Sequence, residues 1–159
     1  MLKTYNVDYQ TPDSAGTANA YLSGVKSRWG TIGVNGGTVN RDCSTLVGNE
    51  VRVTRLSSLL HFVVDRDLLI VTSVLEKAKK AGKSVGIVTN TYIVHASPSA
   101  AYAKNPYRGW YSDREMVKSL GQDGYDEVKT YCKDLATQLH ENRHNFGTIF
   151  VFCTVTIKN

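Results

Sequence analysis

No run in this chain is apolar and long enough to cross a membrane. Its leading residues, Met1-Leu2-Lys3-Thr4-Tyr5-Asn6, lack the apolar core of a secretory signal peptide. The N-x-S/T glycosylation sequon is absent. Taken with Met1 as the start, these absences predict a soluble, cytosolic chain. Acidic residues are scarce beside basic ones, 14 against 19, for a net charge of +5. A basic balance admits nucleic-acid binding, but the cations are spread out, and only Lys77, Lys79, Lys80 and Lys83 cluster. That cluster reads as the solvated face and last turn of one helix, where cations suit the dipole. Nucleic acid is therefore not an expected partner. Missing too is any set of residues that completes a zinc site. His140-Glu141-Asn142-Arg143-His144 has the H-E-x-x-H spacing, but it stands at the edge of the C-terminal tail and by itself supplies only two metal ligands. The three cysteines, Cys43, Cys132 and Cys153, leave at least one unpaired.

What is present describes one domain. A length of 159 residues can bury a sizeable core, and 42% hydrophobic with 21% charged residues is ordinary for a soluble globular protein. Good helix formers and small residues run from Ser14 to Leu22, and Gly24 supplies a stop. Gly30 to Asn40 is too rich in Gly and Asn for regular structure. Thr72-Ser73 can cap a helix whose apolar residues Val74, Leu75 and Ala78 share a face, with Gly82 at its end. Ser84 to Thr89 then reads as a buried strand of a parallel sheet. Glu127 to Leu139 reads as an amphipathic helix. A helix–turn–strand unit of this kind predicts an α/β layer fold with a mainly parallel sheet flanked by helices. Two segments resist the pattern: the apolar, β-branched stretch Arg52 to Val71, and the β-prone run Asn145 to Asn159.

Candidate chemistry gathers in two places. In Thr11-Pro12-Asp13-Ser14-Ala15-Gly16-Thr17-Ala18 a serine opens a helix whose next residues are small. As a bare helix-start serine Ser14 is a cap. Its small neighbours also leave the backbone N–H groups and the positive dipole end open to a phosphate, and Asp13 can orient a guanidinium. A serine hydroxyl needs a base or a metal to become a nucleophile, and no histidine lies near it in sequence, so metal activation is the simpler proposal. The second place follows the predicted strand, at the end where α/β proteins place their chemistry. There His95-Ala96-Ser97 offers an imidazole and a hydroxyl that can project the same way from extended backbone, a set better suited to Mg²⁺ than to closed zinc. Arg108 is either a surface arginine or a planar fork for two phosphate oxygens. Nucleophile, metal and arginine together are what phosphate-ester hydrolysis requires.

These residues also carry a resemblance. Lys3-Thr4-Tyr5-Asn6-Val7-Asp8-Tyr9-Gln10 and Pro12-Asp13-Ser14-Ala15-Gly16-Thr17-Ala18 closely resemble the nucleophile region of animal alkaline phosphatases. The similarity continues through Tyr21 to Lys26, Gly48 to Val51, Ala81 to Thr89, His95-Ala96-Ser97-Pro98 and Trp110-Tyr111-Ser112-Asp113. The resemblance implies metal-dependent hydrolysis of phosphate monoesters through a phosphoserine at Ser14, which also touches zinc. It implies magnesium at His95 and Ser97, a phosphate clamp at Arg108 held by Asp13, and a Cys43–Cys132 disulfide. Cys153 is then the odd thiol. It further implies zinc and magnesium as cofactors, a homodimer, and an extracellular or cell-surface setting, with membrane attachment only through a family-type lipid anchor that this chain lacks.

The departures are as specific. The family's Asp-Gly-Met-Gly segment is not found before Ser14, and the downstream residues that complete the metal sites are not found after Arg108. Residues 1–159 are thus expected to form a single partial domain of the layered fold, with an insertion at about 52–71 and a non-family tail at 142–159, both read as intron-derived. Such a chain is expected to be inactive alone. The alternative reading is a non-catalytic fragment with residual phosphate or magnesium binding, and a third is a basic interaction module on the Lys77–Lys83 face.

Overall fold

The structure, a computed structural model, describes residues 4–46 and 69–143. Five α-helices carry the described chain: α1 (Ser14–Ser23), α2 (Val74–Lys80), α3 (Ala96–Ser99), α4 (Asp113–Val128) and α5 (Leu135–Asn142), with a short 3₁₀ turn at Cys43–Thr45. The expected insertion lies outside the described residues except for its last three, and the expected tail lies outside them from residue 144 on, with His144 and Cys153.

Helix α1 forms where expected, and its signals divide the work differently. The cap is Asp13, whose carboxylate accepts from Gly16 N–H at 3.0 Å, and Ser14 is the first helical residue. Gly24 closes the helix in the left-handed region at φ 76°. Helix α2 starts on Ser73, not Thr72, in a reciprocal box: Ser73 Oγ accepts from Glu76 N–H and the Glu76 carboxylate accepts from Ser73 N–H. The Ser73 hydroxyl also donates to the Ala101 carbonyl at 2.9 Å, which ties α2 to the end of α3. Leu75 packs on the core while Val74 stays 53% exposed, so the predicted three-residue apolar face is narrower than expected. Lys77, Lys79 and Lys80 form the exposed last turn.

Two expectations are corrected. Residues 84–89 form no strand: Val85 and Ile87 turn inward while Ser84, Gly86 and Val88 are exposed. A strand exists only where a neighbour takes its backbone hydrogen bonds, and no described residue pairs with this segment. Among the described residues there is no sheet, only the isolated antiparallel bridges Ile32–Asn105 and Val34–Ile70. The helix predicted over Glu127 to Leu139 is two pieces. α4 ends at Val128, and α5 restarts at Leu135 because Asp134 caps it, accepting from Ala136 and Thr137 N–H. Inside α4, Gly121 leaves helical geometry at φ 77° and kinks the helix.

The core is built on small residues. Ala15 and Ala18 of α1 meet Ala96, Ala100 and Ala101 around α3, with Ile32, Ile87, Tyr102 and Leu135 filling the remainder. Side chains this short let α1 approach α3 closely, and that approach brings the first turn of α1 beside the chain entering α3. A second cluster holds Trp110, Met116 and the Cys43–Cys132 disulfide, whose Cα atoms are 5.8 Å apart. Leu69 to Val71 are bonded into the fold: Asn35 N–H donates to the Leu69 carbonyl and Val71 N–H to the Gly33 carbonyl.

Candidate active site

Asp13 is the hub. One carboxylate oxygen accepts from Gly16 N–H and from the Asn6 amide at 3.1 Å; the other accepts from Gly30 N–H at 3.2 Å and from Arg108 Nη1 at 3.0 Å. Its side chain is only 8% exposed. Burial pushes the carboxyl upward, but the bonds from Gly16, Asn6, Arg108 and Gly30 outweigh it and hold the group below its ordinary value. It is a carboxylate with every lone pair directed. Gly30 grips both partners, since its carbonyl accepts from Arg108 N–H at 2.7 Å. At φ 73° it stands in the left-handed region, and a Cβ there would lie 2.5 Å from the Asn40 amide.

Arg108 is thereby fixed against the start of α1, 95 residues away in sequence. Nη1 is taken by Asp13, and Nη2 lies 3.4 Å from His95 Nε2. A guanidinium can only donate, so Nε2 is the acceptor and the imidazole carries its proton on Nδ1. Burial first, and the Arg108 charge second, lower the His95 pKa. Nδ1 is buried without a hydrogen-bond partner. Beyond His95 the wall is aromatic: the Tyr92 ring stands edge-on to the imidazole at 5.2 Å and to Tyr111 at 5.3 Å. Burial and the Tyr92 contact push the Tyr111 phenol up to about 12.

The structure thus brings together Asp13, Arg108 and His95 and sets Ser14 beside them as the next residue after the cap. The Ser14 hydroxyl is partly exposed and forms no hydrogen bond among the described residues. Ser97 borders a groove of about 210 Å³ with Leu22, Leu75, Ile87 and Pro98. Asn6, Gly30 and Tyr92 belong to the site and had no assigned role in the sequence reading. Asn6 and Gly30 bond Asp13 across 7 and 17 residues, separations that no local spacing rule addresses.

Comparison with known proteins decides the family: the alkaline phosphatase family model matches residues 1–149. The chain belongs to the alkaline phosphatase family. It is 46% identical over 149 residues to the tissue-nonspecific alkaline phosphatase of Homo sapiens, a match covering 94% of this chain and 23% of the human protein. It is 47% identical over 142 residues to an alkaline phosphatase of Gadus morhua, covering 89% of this chain and 24% of that one. The chain therefore spans about a quarter of the length of these relatives. Among solved structures, a cold-active alkaline phosphatase of Shewanella sp. superposes with a TM-score of 0.50 at 22% identity, covering 90% of this chain and 30% of that one, a likeness of fold.

Metal ions are the severest test of the alkaline phosphatase reading at the residue level. Zinc takes four nitrogen, sulfur or oxygen ligands, and among the described residues no three His, Cys, Asp or Glu side chains converge. The Asp13 carboxylate next to Ser14 is already taken by Asn6, Gly16, Gly30 and Arg108. For magnesium, His95 turns its acceptor nitrogen to the Arg108 guanidinium while Ser97 borders the apolar groove. The described residues do not fit either ion.

Proposed function

We propose that this chain carries the phosphate-recognition part of a phosphomonoesterase site, with Ser14 at the position of attack, Arg108 as the clamp and Asp13 as its holder. The observation that supports it best is the Asp13–Arg108 pair at the open first turn of α1. Asp13 consumes one guanidinium edge and the Gly16 N–H, and the N–H groups of Ser14 and Ala15 remain at the helix start. A phosphate there meets the free N–H groups of Arg108, the helix dipole and the Ser14 hydroxyl together.

In the family reaction the Ser14 oxygen attacks phosphorus, the ester oxygen departs, and the phosphoserine is hydrolysed by water. The resemblance implies that zinc and magnesium, were they bound, would supply activation of the serine hydroxyl and of the water. The described residues offer no ligand set for them and no base bonded to Ser14, so the chain alone is read as holding a phosphate monoester without turning it over. Homodimer formation and an extracellular or cell-surface setting belong to the same reading, and the Cys43–Cys132 disulfide supports an oxidising compartment.

Calorimetric titration with inorganic phosphate tests this. Saturable binding that disappears in Arg108→Ala, with no hydrolysis of a chromogenic monoester in zinc and magnesium, is the expected result. Absence of binding overturns the site. Metal-dependent turnover lost in Ser14→Ala would replace the binding-only reading with a complete enzyme.

A further inference from the structure

Tyr92 is the least explained residue near the clamp. It is 51% exposed, and a single exposed aromatic is by itself unremarkable in a soluble protein. What separates it from the other exposed aromatics is that its position is fixed. Its hydroxyl donates to Tyr111 Oη at 3.1 Å. Its ring stands perpendicular both to Tyr111 and to His95. His95 in turn touches Arg108, so one imidazole separates the phenol ring from the guanidinium. Ordering a free aromatic on binding costs conformational entropy; here the ring is already ordered before anything binds.

We infer that Tyr92, backed by Tyr111 and His95, is an aryl-binding wall beside the phosphate clamp, and that the site prefers aryl over alkyl phosphate monoesters. The inference rests on the phosphate reading proposed above. A monoester whose phosphate sits on Arg108 carries its organic group outward, past His95. An alkyl group there meets only the edge of a ring. An aryl group makes an offset or edge-to-face contact with a preordered phenol, the arrangement aromatic pairs favour. Nothing on the wall is charged except Arg108, so the wall offers no competing attraction to a small polar alcohol.

The probes are phenyl phosphate, methyl phosphate and inorganic phosphate, each titrated against the full chain with backbone amide shifts as the readout. Phenyl phosphate is expected to bind about three- to tenfold more tightly than methyl phosphate, the range an aromatic pair supplies. Tyr92→Leu is expected to bring that ratio to about one, and Tyr92→Trp to keep or raise it. The ratio cancels any general weakening of the clamp, so a partly destabilised variant still gives a clear answer. A ratio near one in the unmodified chain, or a ratio kept in Tyr92→Leu, overturns the aryl wall while the phosphate site stands. If inorganic phosphate itself does not bind, the clamp and the wall fall together.

Discussion

At the scale of single residues, Asp13 decides most. Four donors converge on one small carboxylate, and two of them, Arg108 and Gly30, bring distant parts of the chain to the helix start. Its protonation is therefore coupled to folding. In the unfolded chain such a carboxyl titrates near 3.8, and the folded environment lowers it. Between the two values the unfolded state binds more protons, so stability rises with pH through that interval. The contribution is whole above about 3.8 and is lost as the pH falls through the lower, folded value. Urea unfolding from pH 6 to pH 2 is expected to show this loss in the native chain and a smaller one in Asp13→Asn. At neutral pH Asp13→Ala removes the cap and strands the half-buried Arg108, a cost of about 2–4 kcal/mol. Ser14→Ala touches no hydrogen bond among the described residues and is expected to leave the unfolding midpoint within about 0.5 kcal/mol of native. Equal loss in the two variants would show that Asp13 does not anchor the fold.

Helix α1 shows what was legible at the scale of elements and what was not. Its limits follow from small helix formers and Gly24, signals local to the chain, and they were readable. The cap at Thr72-Ser73 and the exposed lysine turn of α2 were readable for the same reason, though the part Glu76 plays in the cap was not. Residues 84–89 were not, because a strand is defined by its neighbour and not by its own residues. The division between α4 and α5 escaped notice because Asp134 looks like any polar residue of an amphipathic stretch until its carboxylate is seen to cap Ala136 and Thr137. Asp13 was legible as a partner for a guanidinium, and it pairs with Arg108; Asn6 was not, since its bond to Asp13 depends on how closely the lead passes α1. That closeness gives the element its own prediction. Gly16→Ala improves intrinsic helix propensity by about 1 kcal/mol, yet the new Cβ would run into the buried Asn6 side chain. The collision and the lost Asn6–Asp13 bond outweigh the propensity gain, and a net destabilisation of about 1–3 kcal/mol is expected. Urea midpoints measure it, and a stabilised variant would mean that Asn6 does not hold Asp13 in place.

For the whole molecule the question is what joins two clusters when no sheet runs between them among the described residues. The alanine-rich cluster around α1 and α3 buries small side chains, and each such side chain contributes little apolar area. The second cluster around Trp110 and Met116 is tied to the first by backbone bonds: Leu135 N–H to the Trp110 carbonyl and Ala136 N–H to the Tyr111 carbonyl. Arg41 N–H to the Pro106 carbonyl and the Ile32–Asn105 bridge hold the Gly-rich loop against the segment that carries Arg108. Within the second cluster the disulfide joins Cys43, beyond the loop, to Cys132, after α4, across 89 residues. A cross-link over a loop of that length restricts the unfolded chain by about 4–5 kcal/mol in the chain-entropy account. That is a large share of the roughly 5–15 kcal/mol that holds a whole domain together. Arg108 lies on the stretch between the two cysteines, so the clamp depends on the bridge through the fold and not through any contact with it. Reduction is therefore expected to lower the unfolding midpoint sharply and to weaken inorganic phosphate binding by the same treatment. The Cys43→Ser/Cys132→Ser chain is expected to behave like the reduced protein and to be indifferent to reductant. A reduced chain that unfolds at the native midpoint would place the stability of the molecule in the packing of its two clusters and not in the Cys43–Cys132 cross-link.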